Sequence, residues 1–149
     1  MLGFGENCPE FQAQTLSGKE ISLANFKGKY LILDFWGSWC GPCRRDNKIM
    51  VLFYEKYKEQ TFKNAKGLSI LSIALETDKN DAITAIEEDG LIWEEHVIET
   101  LKMMSPIAIK FGVREIPQKF LISADGKILL TNPDFKELDD YLAHQMVKN

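Results

Sequence analysis

Cysteine and histidine are scarce in this sequence, and each scarcity rules something out. Three cysteines among 149 residues are too few, and an odd number, for a secreted scaffold held together by disulfides. Two histidines, neither clustered with a cysteine, leave a four-ligand zinc site hard to complete, so no metal is expected. Basic residues are not massed: 18 lysines and arginines stand against 22 acids, the net charge is -4, and no nucleic-acid partner is expected. No stretch approaches the roughly 20 apolar residues that span a bilayer. The opening Met1-Leu2-Gly3-Phe4-Gly5-Glu6 lacks the basic start, apolar segment and small-residue cleavage site of a secretory leader, so none is expected there. Internal repeats, low-complexity tracts and linkers are also missing.

What is present suffices for one domain over residues 1–149: 45% hydrophobic residues provide a core that needs no disulfide to fold. Two apolar runs, Tyr30 to Trp36 and Leu68 to Leu75, each follow a turn glycine and are too short for ordinary helices, so both read as buried strands. Between them, Pro42 to Tyr57 carries Ile49, Leu52, Phe53 and Tyr57 at helical spacing behind a first-turn proline. Strand, helix and strand in about 45 residues make a right-handed parallel crossover. Further helices are expected over Asp78 to Asp89, with Ala82, Ile83 and Ile86 as the apolar stripe, over Ser105 to Phe111, and over Asp134 to Val147. Lys119 to Ile122 and Ile128 to Thr131 flank an Asp125-Gly126 hairpin turn, and Phe11 to Thr15 with Glu20 to Leu23 form a small hairpin at the front.

The stretch "FWGSWCGPCRR" sets two cysteines where the first strand turns into its helix. A structural staple is weak there, because closing so small a loop removes little unfolded-chain entropy. Thiol redox chemistry suits the position. The first turn of a helix offers unpaired N–H groups and a positive dipole end, which favour a thiolate. Cys40 is therefore read as the nucleophile and Cys43, one turn deeper, as the resolving thiol. Pro42 fixes the backbone between them, and Gly41 lets a partner chain approach. The carboxyl end of a parallel strand is where open α/β sheets place their sites.

These residues resemble a known family. "DFWGSWCGPC" is similar to the active-site stretch of thioredoxin, and the wider pattern resembles the TlpA/ResA-like branch of thioredoxin-fold proteins. The resemblance runs from about Gly5 to Leu130, through "GENCPEF", "ANFKGKYLILDFWGSWCGPCRR" and "FGVREIPQKFLISADGKIL". It implies an α/β thioredoxin fold: a central mixed β-sheet flanked by helices, with an N-terminal β-hairpin extension and a helical insertion after the second core strand. On its own, Pro117 is a proline entering a strand. The resemblance implies that it follows a cis bond beside the cysteine pair, and that Ile116 offers its backbone to a substrate strand.

Asp34 interrupts an apolar strand six positions before Cys40, where an unpaired charge is expensive to bury. By resemblance to thioredoxin it is the base for Cys43, with a raised pKa. The resemblance implies that Trp39, which abuts Cys40, shields it and contacts partners, while Trp36 reads at least partly as packing. Cys8 reads as a small buried hydrophobe, with a third redox thiol as the other reading. His96 and His144 read as structural or exposed, and Glu87-Glu88-Asp89 and Glu94-Glu95 as solvated surface or an acidic docking face. Arg44 and Arg45 either steer partners, tune the thiolate or merely coat the surface. The sequence departs from the family at Lys48, where relatives carry a helix-kinking proline, so a straighter helix is expected. It departs again at Gln118, where threonine is common.

The function these features imply is thiol-disulfide exchange with protein substrates. The chain would act as a monomer without metal, flavin or nucleotide, with an upstream thiol protein as reductant. The thioredoxin-like Gly-Pro dipeptide points toward a reductase. A peroxiredoxin-like peroxidase is disfavoured, because the Pro-x-x-x-Thr/Ser-x-x-Cys motif is missing. A non-catalytic binding module is disfavoured by the intact cysteine pair. The family implies an extracytoplasmic site of action, and the absence of a leader leaves a cytoplasmic one open.

Overall fold

The computed structural model describes residues 2–147, whose first elements are a small antiparallel hairpin of β1 (Gln12–Gln14) and β2 (Glu20–Ser22). The main sheet then takes β3 (Tyr30–Trp36), followed by helix α1 (Gly41–Tyr57), β4 (Leu68–Leu75) and helix α2 (Lys79–Asp89). It is completed by β5 (His96–Glu99), the short helix α3 (Pro106–Lys110), β6 (Gln118–Ile122), β7 (Ile128–Thr131) and helix α4 (Phe135–Gln145). The strand order is β5-β4-β3-β6-β7; β3, β4 and β5 run parallel, and β6 and β7 run antiparallel to their neighbours. This is the mixed sheet expected from the sequence, with the front hairpin outside it and α2 inserted after β4.

Strand β3 lies at the centre and is buried at every residue. Successive side chains point to opposite faces. Tyr30, Ile32 and Trp36 pack with Met50 and Tyr57 of α1 and Leu142 of α4 on one side. Leu31, Leu33 and Phe35 meet Phe11, Phe26 and Phe111 on the other. Burial on both faces is why the strand reads as a continuous apolar run rather than an alternating one. Each such side chain stabilises the fold by about 1.5–3 kcal/mol relative to exposure, so β3 is a firm base for the loop that leaves its carboxyl end.

Several expectations need correction. The buried stripe of α1 is Cys43, Asn47, Met50, Phe53 and Tyr57, while Ile49 and Leu52 are 38% and 66% exposed. Cys43 is buried in this stripe, and buried Asn47 joins it with its amide bonded to Asp89. In α2 the buried positions are Ala82 and Ala85, with Ile83 and Ile86 only half-buried. Helix α4 stops at Gln145, two residues short of the expected end, because Met146 turns extended and bridges Phe62. Strand β5 has no counterpart in the sequence reading. Its four residues begin with histidine and end with glutamate, too short and too polar for the alternation test.

His96 opens that strand and is buried, its ring stacked on Trp93 and its Nε2 3.2 Å from the Leu91 carbonyl oxygen. Burial holds its pKa below the usual 6.5. A depressed histidine gives stability that is complete above 6.5 and lost as pH falls from there toward the folded value. Urea unfolding should therefore show stability declining below pH 6.5 by up to about 1.4 kcal/mol per pH unit, and His96→Asn should flatten that decline. An unchanged slope in the variant would assign it to other groups.

Candidate active site

After β3 the chain makes a turn from Gly37 to Cys40, closed by the Cys40 amide donating to the Gly37 carbonyl at 3.1 Å. Gly37 is needed on steric grounds: a Cβ there would lie 2.7 Å from Trp39 Nε1 and 3.1 Å from the Leu75 carbonyl oxygen. Cys40 is the N-cap of α1, and its Sγ accepts from the Cys43 amide at 3.2 Å, as a serine or aspartate oxygen does at other helix starts. The two sulfurs are joined as a disulfide. No acidic side chain occupies the first turn of α1. Once the pair is reduced, the free N–H groups and positive end of the helix favour a thiolate at Cys40.

Exposure differs across the site. Cys43 is 1% exposed and Cys40 6%, while Gly41 and Pro42 are exposed and Trp39 is 54% exposed. The Ile116–Pro117 peptide bond is cis, and the Ile116 carbonyl oxygen lies 3.9 Å from Cys40 Sγ. The fold thus gathers Trp39, Cys40, Gly41, Pro42, Cys43, Ile116 and Pro117 at one end of the sheet. Trp39 is held by its indole N–H donating to the Leu75 carbonyl at 2.8 Å, with Lys102 Nζ 5.3 Å above the ring.

Asp34 is 2% exposed and lies on the α1 side of β3, between Ile32 and Trp36. Across the sheet it pairs with Lys119 of β6, whose buried Nζ lies 3.5 Å from Asp34 Oδ1 and 2.9 Å from Asp46 Oδ2. One buried ammonium therefore serves two carboxylates, and it sits closer to the more exposed one. Burial pushes the Asp34 pKa up; Lys119 opposes this in part, and Asp46 adds to it. For Lys119, burial pulls the pKa down, but the two carboxylates more than offset it and the net direction is up.

A second polar cluster lies on the other flank. Arg44 donates to both Asp89 oxygens, at 2.6 and 3.0 Å, and to the Ser38 carbonyl at 3.2 Å, while Asn47 donates to Asp89 at 2.8 Å. Asp89 is thus not solvated surface, as its acidic neighbours suggested; its side chain is 9% exposed and ties α2 to α1. Burial raises its pKa, but the bonds from Arg44 and Asn47 outweigh that and leave it lowered. Glu76, 1% exposed at the end of β4, accepts from both the amide and the hydroxyl of Ser38. Cys8 lies elsewhere, buried beside Pro9, and burial pushes its thiol up to about 12, which keeps it protonated at neutral pH.

Sequence reasoning missed Lys119, Asp46 and Glu76. A signal existed for two of them: Lys119 is the single charge in an apolar strand, as Asp34 is in β3, and Glu76 directly follows eight strand residues.

Fold and site together define a class, a thioredoxin-fold protein built around a Cys-x-x-Cys pair at a helix start. Comparison with known proteins agrees. The profile of the AhpC/TSA family matches residues 4–130. The thiol-disulfide oxidoreductase ResA of Bacillus thuringiensis subsp. konkukian is 35% identical over 152 aligned positions, which cover 95% of this chain and 78% of ResA. A solved thiol-disulfide oxidoreductase from Bacteroides fragilis superposes with a TM-score of 0.82 at 28% identity, covering 93% of this chain and 98% of that one. The thioredoxin domain of a Bacteroides vulgatus thiol-disulfide oxidoreductase gives a TM-score of 0.83 at 25% identity, covering 97% and 98%. The chain belongs to the AhpC/TSA family, among its ResA-like thiol-disulfide oxidoreductases.

The shared ammonium yields a prediction. Lys119→Met should lower stability by about 3 kcal/mol at pH 8, because it strands a buried carboxylate. The loss should shrink as pH falls toward 4, because burial raises the proton affinity of Asp34 and favours its neutral form. Adding Asp34→Asn should recover most of the loss at pH 8. Denaturant unfolding at the two pH values checks this, and a pH-independent loss would contradict it.

Proposed function

We propose that the chain is a disulfide reductase for protein substrates, with Cys40 as nucleophile and Cys43 as resolving thiol. The observation that carries the reading is Cys40 as the N-cap of α1, within reach of both Cys43 and the Ile116 carbonyl. The Cys40 thiolate attacks one sulfur of the substrate disulfide; a mixed disulfide forms and the other substrate sulfur leaves as a thiolate. Cys43 then attacks Cys40 Sγ, closing the internal disulfide and releasing the second substrate thiol. Two electrons pass to the substrate, and a dithiol protein restores the pair.

Resolution requires Cys43 to lose its proton inside a dry site. Asp34, on the same face of the sheet and with its proton affinity raised by burial, is the base in this reading. Trp39, exposed Gly41 and Pro42, and the Ile116-Pro117 backbone form the surface that meets the substrate. Reducing direction is supported by the Gly41-Pro42 dipeptide, shared with thioredoxin, whose potential is about -270 mV against about -120 mV for DsbA. We place the activity outside the cytoplasm, where protein disulfides persist. No helix among the described residues is long and apolar enough to cross a membrane.

Reduction of insulin disulfides with a small dithiol as electron source tests the assignment. Cys40→Ser should abolish turnover, and Cys43→Ser should stall as a mixed disulfide that runs as a covalent adduct on non-reducing gels. Asp34→Asn should slow turnover near pH 7 by about 100-fold, the usual scale of a general base. Wild-type turnover by Cys43→Ser would refute the assignment of roles.

A further inference from the structure

The turn that delivers Cys40 is gripped from outside at both of its central residues, and both grips come from the end of β4. Glu76 Oε2 accepts from the Ser38 amide and Oε1 from the Ser38 hydroxyl, each at 2.6 Å. The preceding residue, Leu75, accepts from the Trp39 indole N–H at 2.8 Å. Glu76 is itself anchored, its amide donating to the Glu99 carbonyl of β5 at 2.9 Å. Arg44 also donates to the Ser38 carbonyl. The Trp39 indole then packs against Gly37 so closely that no larger residue fits beneath it.

A carboxylate is a costly residue for this place. Glu76 is 1% exposed, and among the described residues no basic group lies within 4 Å of it. Arg44 attracts it only from beyond ion-pair distance, so its hydrogen bonds must supply most of the compensation for burial. Both of its oxygens bond one residue, Ser38, in a short bidentate contact with the turn. Carboxylate acceptors give shorter and stronger bonds than neutral ones. The geometry points to Glu76 as a positioning residue of the redox site. By bracing Ser38 it fixes the turn that aims Cys40 Sγ and presents the Trp39 indole beside it. Glu76 touches neither sulfur and acts through Ser38.

The rate consequences rest on the disulfide-exchange reading; the structural ones do not, and the experiment reads both. Glu76→Ala leaves the Ser38 amide and hydroxyl without their acceptor and frees the turn. Glu76→Gln preserves the brace, with its amide oxygen accepting from the Ser38 amide and its NH2 donating to the Ser38 hydroxyl. In nitrogen-labelled protein the Trp39 indole N–H signal, assigned with Trp39→Phe, should shift or broaden in Glu76→Ala and return close to its wild-type position in Glu76→Gln. Insulin reduction by Glu76→Ala should fall about 10- to 100-fold, as a displacement of about 1 Å at a reacting atom produces. Glu76→Gln should stay within a few-fold of wild type. Should Glu76→Ala not fold, Ser38→Ala, which removes only the hydroxyl bond, should still move the indole signal and give a smaller loss of rate.

An unmoved indole signal in Glu76→Ala, or in Ser38→Ala where that variant stands in, overturns the inference. So does a Glu76→Gln protein as slow as Glu76→Ala, because charge rather than bracing would then be responsible. If wild-type protein fails to reduce insulin, the proposed function falls while the indole signal still decides the role of Glu76.

Discussion

The site depends on one juxtaposition, a helix N-terminus held against the carboxyl end of the central strand with a cysteine as its cap. The unpaired N–H groups of α1 need an acceptor, and Cys40 Sγ is placed to be one. The same groups that would stabilise a capping oxygen in an ordinary helix here favour a thiolate over a thiol. Everything else described at this end of the molecule keeps that cap in place. β3 supplies the rigid base by burying both of its faces, Gly37 permits the tight turn, and Cys43 sits one turn into the helix, facing the sheet.

Around the cap, buried charge is arranged in two groups on opposite flanks. Asp34, Lys119 and Asp46 connect β3, β6 and α1 on the β6 flank. Glu76, Ser38, Arg44, Asp89 and Asn47 connect β4, the active-site turn, α1 and α2 on the side of Trp39. Such networks seldom add to stability over a well-packed apolar core, and removing one partner is expensive. In the proposed mechanism the first group bears on a proton, and in the inference drawn from Glu76 the second bears on the direction of a sulfur. Helix α2, an insertion between core strands, is joined to the redox turn through the second group.

Legibility in the sequence followed periodicity and chemistry. Tyr30–Trp36 and Leu68–Leu75 were readable to the residue because two-sided burial leaves an uninterrupted apolar run bounded by glycine. Cys40, Cys43 and Pro117 were readable from a short motif and a distant one that the family places together. The phase of α1 was not, since Ile49 and Leu52 are exposed apolar residues and buried Asn47 is polar; nothing local marks which face meets the sheet. β5 was hidden by its length, and its histidine is buried for reasons that lie on β4 and Trp93. The partnerships of Asp34 with Lys119, Glu76 with Ser38 and Arg44 with Asp89 span separations of 38 residues or more, which no window along the chain can register.

The central claim is that Cys40 and Cys43 form a redox couple poised to give electrons to protein disulfides. The most direct test is the reduction potential of the pair, obtained by equilibrating the protein in dithiothreitol redox buffers and counting free thiols. The account predicts a two-electron couple lying near the value of thioredoxin, about -270 mV. A value near that of DsbA, about -120 mV, would make the protein an oxidant and reverse the direction of electron flow argued here.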